Sequence, residues 1–224
     1  MKEVLQVIKE QRKSLIAPVD TMGCSCIPFT KDEEHKKFRT LVMLMLSQQT
    51  RDQTTYTTVH NLNESLVKKY NEGISPRTVS LLSLDELSSS IKAVNYYIKK
   101  AKNIKIIAEY FLDKKMATEY DALIKLPGVG NKIAFLYLQI ACNKTVGIGV
   151  DTHVHRIFNR LGIVTTRTPE ETRIKLEQIY DRREWKEINK VMVGFGQTVC
   201  LPKKPKCKEC VVNYCCKYGR KFSF

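Results

Sequence analysis

Apolar residues recur along this 224-residue chain at helical spacing, and no stretch alternates apolar and polar side chains as a half-buried strand would. In "SLDELSSSIKAV", Ser83 stands where an N-cap belongs and Glu86 follows three residues later, with Leu84, Leu87, Ile91 and Val94 on one helical face. "KKAKNIKIIAEYFL" repeats the period at Ala101, Ile104, Ala108 and Phe111. "TPEETRIKLEQIY" opens on Thr168, puts Pro169 at the first helical position and sets Glu171 where it can return the cap. Trp185, Ile188, Val191, Met192 and Phe195 mark one face of a later helix. Helices joined by short loops predict an all-α fold, and 43% hydrophobic residues suffice for a core.

Lys and Arg number 38 against 23 Asp and Glu, a formal net charge of +15. Such a surplus points to a polyanionic partner, nucleic acid ahead of an anionic membrane, with an unspecialised basic surface as the plain alternative. No apolar run approaches the length of about 18 residues that a membrane span needs, so no membrane partner is expected. "MKEVLQVIKEQRKSLIAPVD" lacks the apolar centre and cleavage site of a secretory signal, but its basic character leaves a mitochondrial address open. Eight cysteines without such a signal favour metal or free thiols over a disulfide framework. Cys200, Cys207, Cys210 and Cys216 are spaced C-x6-C-x2-C-x5-C. Four thiolates at that spacing suit a structural zinc ion or a [4Fe–4S] cluster, although zinc sites more often show two close pairs. Cys215 is a rival fourth ligand, and Cys24, Cys26 and Cys142 read as unligated thiols.

The segment "LPGVGNKIA" raises the question of function. "TEYDALIK" before it predicts a short helix capped by Thr118 and ended by Pro127, and "NKIAFLYLQIAC" after it predicts a helix apolar on nearly every face and therefore buried. The glycine turn between them leaves the amides near Gly128, Val129 and Gly130 free for an anion, where the helix dipole favours negative charge; an ordinary interhelical turn is the bland alternative. Lys132 falls in the first turn of the second helix, where the dipole and loss of solvent both favour the neutral, nucleophilic amine. Asp151 opens "DTHVHRIFNRL" as an N-cap, a position compatible with proton transfer or with stabilising positive charge. His153 and His155, two apart on a helix, do not share a face and make a joint metal site improbable.

Together, "LPGVGNKIA", "VDTHVHRIFNRLG", "SQQTRDQ" and "VGFGQTVC" resemble the endonuclease III family of DNA glycosylases, with its helix-hairpin-helix, glycine/proline-rich loop and aspartate; "DTHVHRI" is most similar to the eukaryotic branch. The likeness runs from about His35 to Cys216. It implies a two-lobed fold, with a helical barrel over residues 31–144 and a discontinuous domain of residues 1–30 and 145–224, and a cleft holding Lys132 and Asp151. It implies that Lys132 attacks C1′ of a damaged nucleotide with Asp151 assisting, and that β-elimination then nicks the strand 3′ to the lesion. Oxidised pyrimidines in double-stranded DNA are the implied substrate. Gln49 matches the residue that enters the vacated stack, Tyr96 a wedge, and Asp52 a position near the pocket. The family's cluster is [4Fe–4S], held at the positions of Cys200, Cys207, Cys210 and Cys216, and Lys203, Lys204 and Lys206 between its first two ligands suit a phosphate clamp. A monomer working in the nucleus, with a mitochondrial share left open, is expected. The rivals are a non-catalytic helix-hairpin-helix DNA-binding protein with a structural metal and a monofunctional glycosylase for another lesion.

Overall fold

The computed structural model describes residues 2–26 and 32–222, and among these every regular element is helical. The α-helices are α1 (Lys2–Lys13), α2 (Pro18–Met22), α3 (Glu33–Leu46), α4 (Asp52–Tyr70), α5 (Pro76–Ser80), α6 (Leu84–Ser90), α7 (Tyr97–Tyr110), α8 (Tyr120–Leu123), α9 (Asn131–Cys142), α10 (Thr152–Leu161), α11 (Pro169–Ile179) and α12 (Arg182–Thr198). Short 3-10 turns follow at Cys207–Glu209 and Gly219–Phe222. None of the described helices is long and apolar enough to cross a membrane.

Packing divides the chain into two units, residues 22–146 and residues 1–21 with 147–224. The expected boundary at 30/31 lies outside the described residues, and the second division falls two residues beyond the expected 144/145. In the continuous unit, α3 and α9 form the centre: Leu41 to Leu46 and Ile133 to Leu138 are all buried, as an all-round apolar helix requires. α7 packs on α3 and buries Ala101, Ile104 and Ala108 in the same core. The discontinuous unit packs α10 between α11 and α12, with α1 also on α12, around Phe158, Ile188, Met192 and Phe195.

Local chemistry explains where helices start, and where the expectations miss. Ser83 and Glu86 form the reciprocal cap of α6, Ser83 Oγ accepting from the Glu86 amide at 3.1 Å and Glu86 Oε2 from the Ser83 amide at 2.7 Å. α6 nevertheless stops at Ser90; Ile91 and Val94 are buried from the connection instead. Thr168 caps α11, but Glu171 returns to the Arg167 amide, one residue earlier than a reciprocal box requires. Thr118 does not cap α8. That helix starts after Glu119 without a side-chain cap, while the Thr118 carbonyl accepts from Lys144 Nζ at 3.2 Å. It ends at Leu123, before Pro127 can act.

Candidate functional site

Between α8 and α9 the chain turns through amide bonds of Leu126 to the Leu123 carbonyl (3.0 Å) and of Val129 to the Leu126 carbonyl (3.1 Å). Val129 is also buried, so its amide is spent on the turn and is not one of the free donors expected there. Gly128 has φ +81°, and a Cβ on it would stand 2.6 Å from Asn103 Nδ2. Gly130 differs: its φ is −102°, and a Cβ would meet nothing within 4 Å. It caps α9 with no side chain to accept from the first-turn amides, and the space beside its Cα is open. An anion reaching those donors meets no Cβ.

Lys132 is the second residue of α9 and is half-buried, less enclosed than the sequence suggests. The Tyr120 hydroxyl donates to Asn131 Oδ1 at 2.8 Å, and the Tyr120 and Phe135 rings stack 5.1 Å apart, fixing the start of α9. Cys24 lies within electrostatic reach of Lys132. Burial pushes its thiol up to about 11, opposed by the Lys132 charge and a hydrogen bond with Ser47, while Asp52 adds to the rise. Asp52 and Lys132 thus share one neighbourhood.

Gln49, Tyr96 and Gly128 line a single cleft of about 270 Å³, together with Met45, Lys100 and Asn103. Gln49 (φ 52°) and Tyr96 (φ 57°) both take the left-handed backbone conformation, which costs a non-glycine residue about 1–2 kcal/mol. Tyr96 is 66% exposed and so stands outside the core. The loop 47–50 is held to the start of α7: Asn95 Nδ2 donates to the Gln49 carbonyl, and the Asn95 amide to Thr50 Oγ1 at 3.2 Å. Buried Lys100 completes the attachment. A lysine in phase with Ala101 and Ile104 on the buried face of α7 was the signal for it, overlooked because a lysine is by default solvated.

In the other unit, Asp151 is the N-cap of α10, and its Oδ1 accepts from the amides of His153 and Val154, each at 2.9 Å. The His153 ring packs over Gly196 of α12, where a Cβ would come within 2.4 Å of Nδ1, and lies 3.2 Å from Arg156 Nη2. His155 Nδ1 pairs instead with Thr172 Oγ1 at 2.6 Å.

Cys200, Cys207, Cys210 and Cys216 line one cavity, floored by Ile157, Phe195 and Val212. Cys215 is not in that lining; its thiol donates to the Val212 carbonyl at 3.4 Å. Among the described residues, no three His, Cys, Asp or Glu side chains are close enough to hold a single ion. Arg160, absent from the sequence expectations, ties the cavity to the lysine loop. Its Nη1 donates to Cys200 Sγ at 3.4 Å and to the Leu201 carbonyl at 2.7 Å, and its Nη2 to the Pro202 carbonyl at 2.8 Å. The Lys206 amide closes the loop on the Val199 carbonyl at 3.0 Å. Lys203 and Lys204 are exposed on it, whereas the charge of Lys206 is partly offset by Glu209 at 3.8 Å.

The profile of HhH-GPD superfamily base excision DNA repair proteins matches residues 42–182. An endonuclease III homologue of Encephalitozoon cuniculi (strain GB-M1) is 46% identical over 215 residues, covering 93% of this chain and 90% of that protein. The chloroplastic endonuclease III homologue 1 of Arabidopsis thaliana is 39% identical over 224 residues, and this chain spans 58% of its length. The structure of a trapped endonuclease III–DNA covalent intermediate superposes with a TM-score of 0.81 at 25% identity, covering 100% of this chain and 97% of that one. The chain therefore belongs to the HhH-GPD superfamily of base excision DNA repair proteins, among the endonuclease III homologues.

Proposed function

We propose that this protein is a bifunctional DNA glycosylase and abasic-site lyase that excises oxidised pyrimidines, such as thymine glycol, from duplex DNA. The observation that carries the reading is Lys132 in the first turn of α9, directly after an uncapped turn whose Gly130 has open space beside it. The turn's amides hold a backbone phosphate, and the target nucleotide is flipped out while Gln49 and Tyr96 brace the gap. The Lys132 amine attacks C1′, the C1′–N bond breaks, and the base leaves with a proton. The nitrogen lone pair then expels O4′, which takes a proton from solvent, and the sugar opens to the protonated Schiff base, whose nitrogen keeps its one remaining proton. Removal of a C2′ proton then expels the 3′ phosphate, and water hydrolyses the imine to return the lysine. Asp151 accepts protons in these steps and opposes the positive charge that develops on the sugar.

The four cavity cysteines suit a [4Fe–4S] cluster better than zinc. A lone zinc draws its sulfurs to about 2.3 Å from a common centre, whereas a cluster spaces its four thiolates more widely around one cavity. When bound, the cluster cross-links residues 200–216, and Arg160 carries that rigidity into the loop of Lys203, Lys204 and Lys206, which grips phosphate. We further propose that the protein acts as a monomer in the nucleus.

Duplexes carrying thymine glycol test the reading. Release of the base with a nick 3′ to the lesion is expected. Release without a nick identifies a monofunctional glycosylase, and binding without release a non-catalytic DNA-binding protein.

A further inference from the structure

We propose that Lys100 is the positioning residue that locks Gln49 and Tyr96 into one DNA-facing prong, an inference resting on the function proposed above. The amine is buried, with the residue only 7% exposed, and no carboxylate pairs with it among the described residues. Its three protons go to three acceptors: the carbonyls of Leu46 (2.8 Å) and Gln48 (2.7 Å) and Thr50 Oγ1 (3.3 Å). Two of these acceptors flank Gln49 directly, and the third is the final residue of α3, where the helix dipole presents negative partial charge. The Lys100 amide makes the first backbone bond of α7, to the Tyr96 carbonyl at 3.0 Å, so its side chain ties the Gln49 loop to the helix turn that begins at Tyr96.

The grip extends further. Thr50 Oγ1 donates to the Gln48 carbonyl at 3.2 Å while accepting from Asn95 and Lys100, which saturates it. Gln48 Nε2 donates to the Gly128 carbonyl at 3.1 Å, linking the prong to the hairpin turn. Non-glycine residues remain in the left-handed region only where their surroundings hold them, and Gln49 and Tyr96 are both exposed, with no packing of their own to do so. Packing alone would be met by methionine; burying a cation makes sense only for its three directed donors.

The test compares single-turnover excision of thymine glycol by the wild type, Lys100→Met, the Gln49→Ala/Tyr96→Ala pair and the triple variant. 2-Aminopurine opposite the lesion reports insertion into the stack. Lys100→Met is expected to slow excision about tenfold and to reduce the fluorescence change. In the Gln49→Ala/Tyr96→Ala background the same substitution should cost less than twofold, because the prong it positions is gone. A Lys100→Met protein with wild-type rate and signal, or a loss that recurs in full in that background, overturns the inference. If Lys100→Met does not fold, Asn95→Ala, at an exposed site, removes the other tether to Gln49: slower excision with a weaker signal supports the prong, and wild-type behaviour overturns it. A Gln49→Ala/Tyr96→Ala pair equal to wild type removes the DNA-facing role of the tips and the inference with it. Absence of excision by the wild type instead defeats the proposed function itself.

Discussion

Gly128 and Gly130 are two residues apart, yet glycine is needed at each for a different reason. At Gly128 the backbone requires it: φ is +81°, and a Cβ would collide with the Asn103 amide. Gly128→Ala should cost about 1–3 kcal/mol and lower the unfolding temperature measured by calorimetry. At Gly130 neither backbone nor packing within the chain requires glycine. Gly130→Ala should therefore cost less than about 1 kcal/mol while weakening duplex binding about tenfold, read by fluorescence anisotropy at fixed salt. Equal binding would mean that no phosphate approaches there. Asp151 separates in the same manner. Asparagine caps a helix as well as aspartate, so Asp151→Asn should keep stability within about 0.5 kcal/mol while slowing single-turnover excision by about 100-fold or more. A rate near wild type would leave Asp151 as a cap alone.

At the scale of elements, the start of α7 carries a buried charge. Burial pushes Lys100 down to about 8 from an ordinary 10.5, so between those values the unfolded chain binds more protons than the folded one. Its charge therefore costs stability fully below pH 8, and that cost is relieved as pH rises towards 10.5. Relative to Lys100→Met, the wild type should gain stability between pH 7.5 and about 10, by roughly 2–3 kcal/mol at most, in urea unfolding. A difference independent of pH would contradict the buried charge. This feature also shows what is legible in a sequence. The stripe Ala101, Ile104 and Ala108 predicts α7 because periodicity is local, and Ser83 with Glu86 predicts the start of α6 for the same reason. The acceptors of Lys100 lie about fifty residues earlier, at the end of α3 and on the loop after it, so no local pattern announces them. The Thr118 expectation fails because α8 starts one residue later, after Glu119, and the distant Lys144 holds the Thr118 carbonyl there. Tertiary hydrogen bonds decide such positions; spacing does not.

For the whole molecule, the basic excess and the cysteine cavity are linked through Arg160, which touches both Cys200 and the lysine loop. Purified protein should contain about four irons per chain, and zinc in their place would contradict the cluster. The residues of the hairpin, Lys132, Asp151 and the four cysteines were readable because each stands in a short, dense pattern. Arg160, Lys100 and Asn95 were not, since they act on backbone carbonyls that only the folded chain brings to them. The central claim is the covalent step at Lys132. Its most direct test is to incubate the protein with abasic duplex DNA and borohydride, alongside a folded Lys132→Ala variant. A reduced protein–DNA adduct with the wild type and none with Lys132→Ala is the predicted result. An adduct that survives in Lys132→Ala, or none from a wild type that binds the duplex, would contradict it.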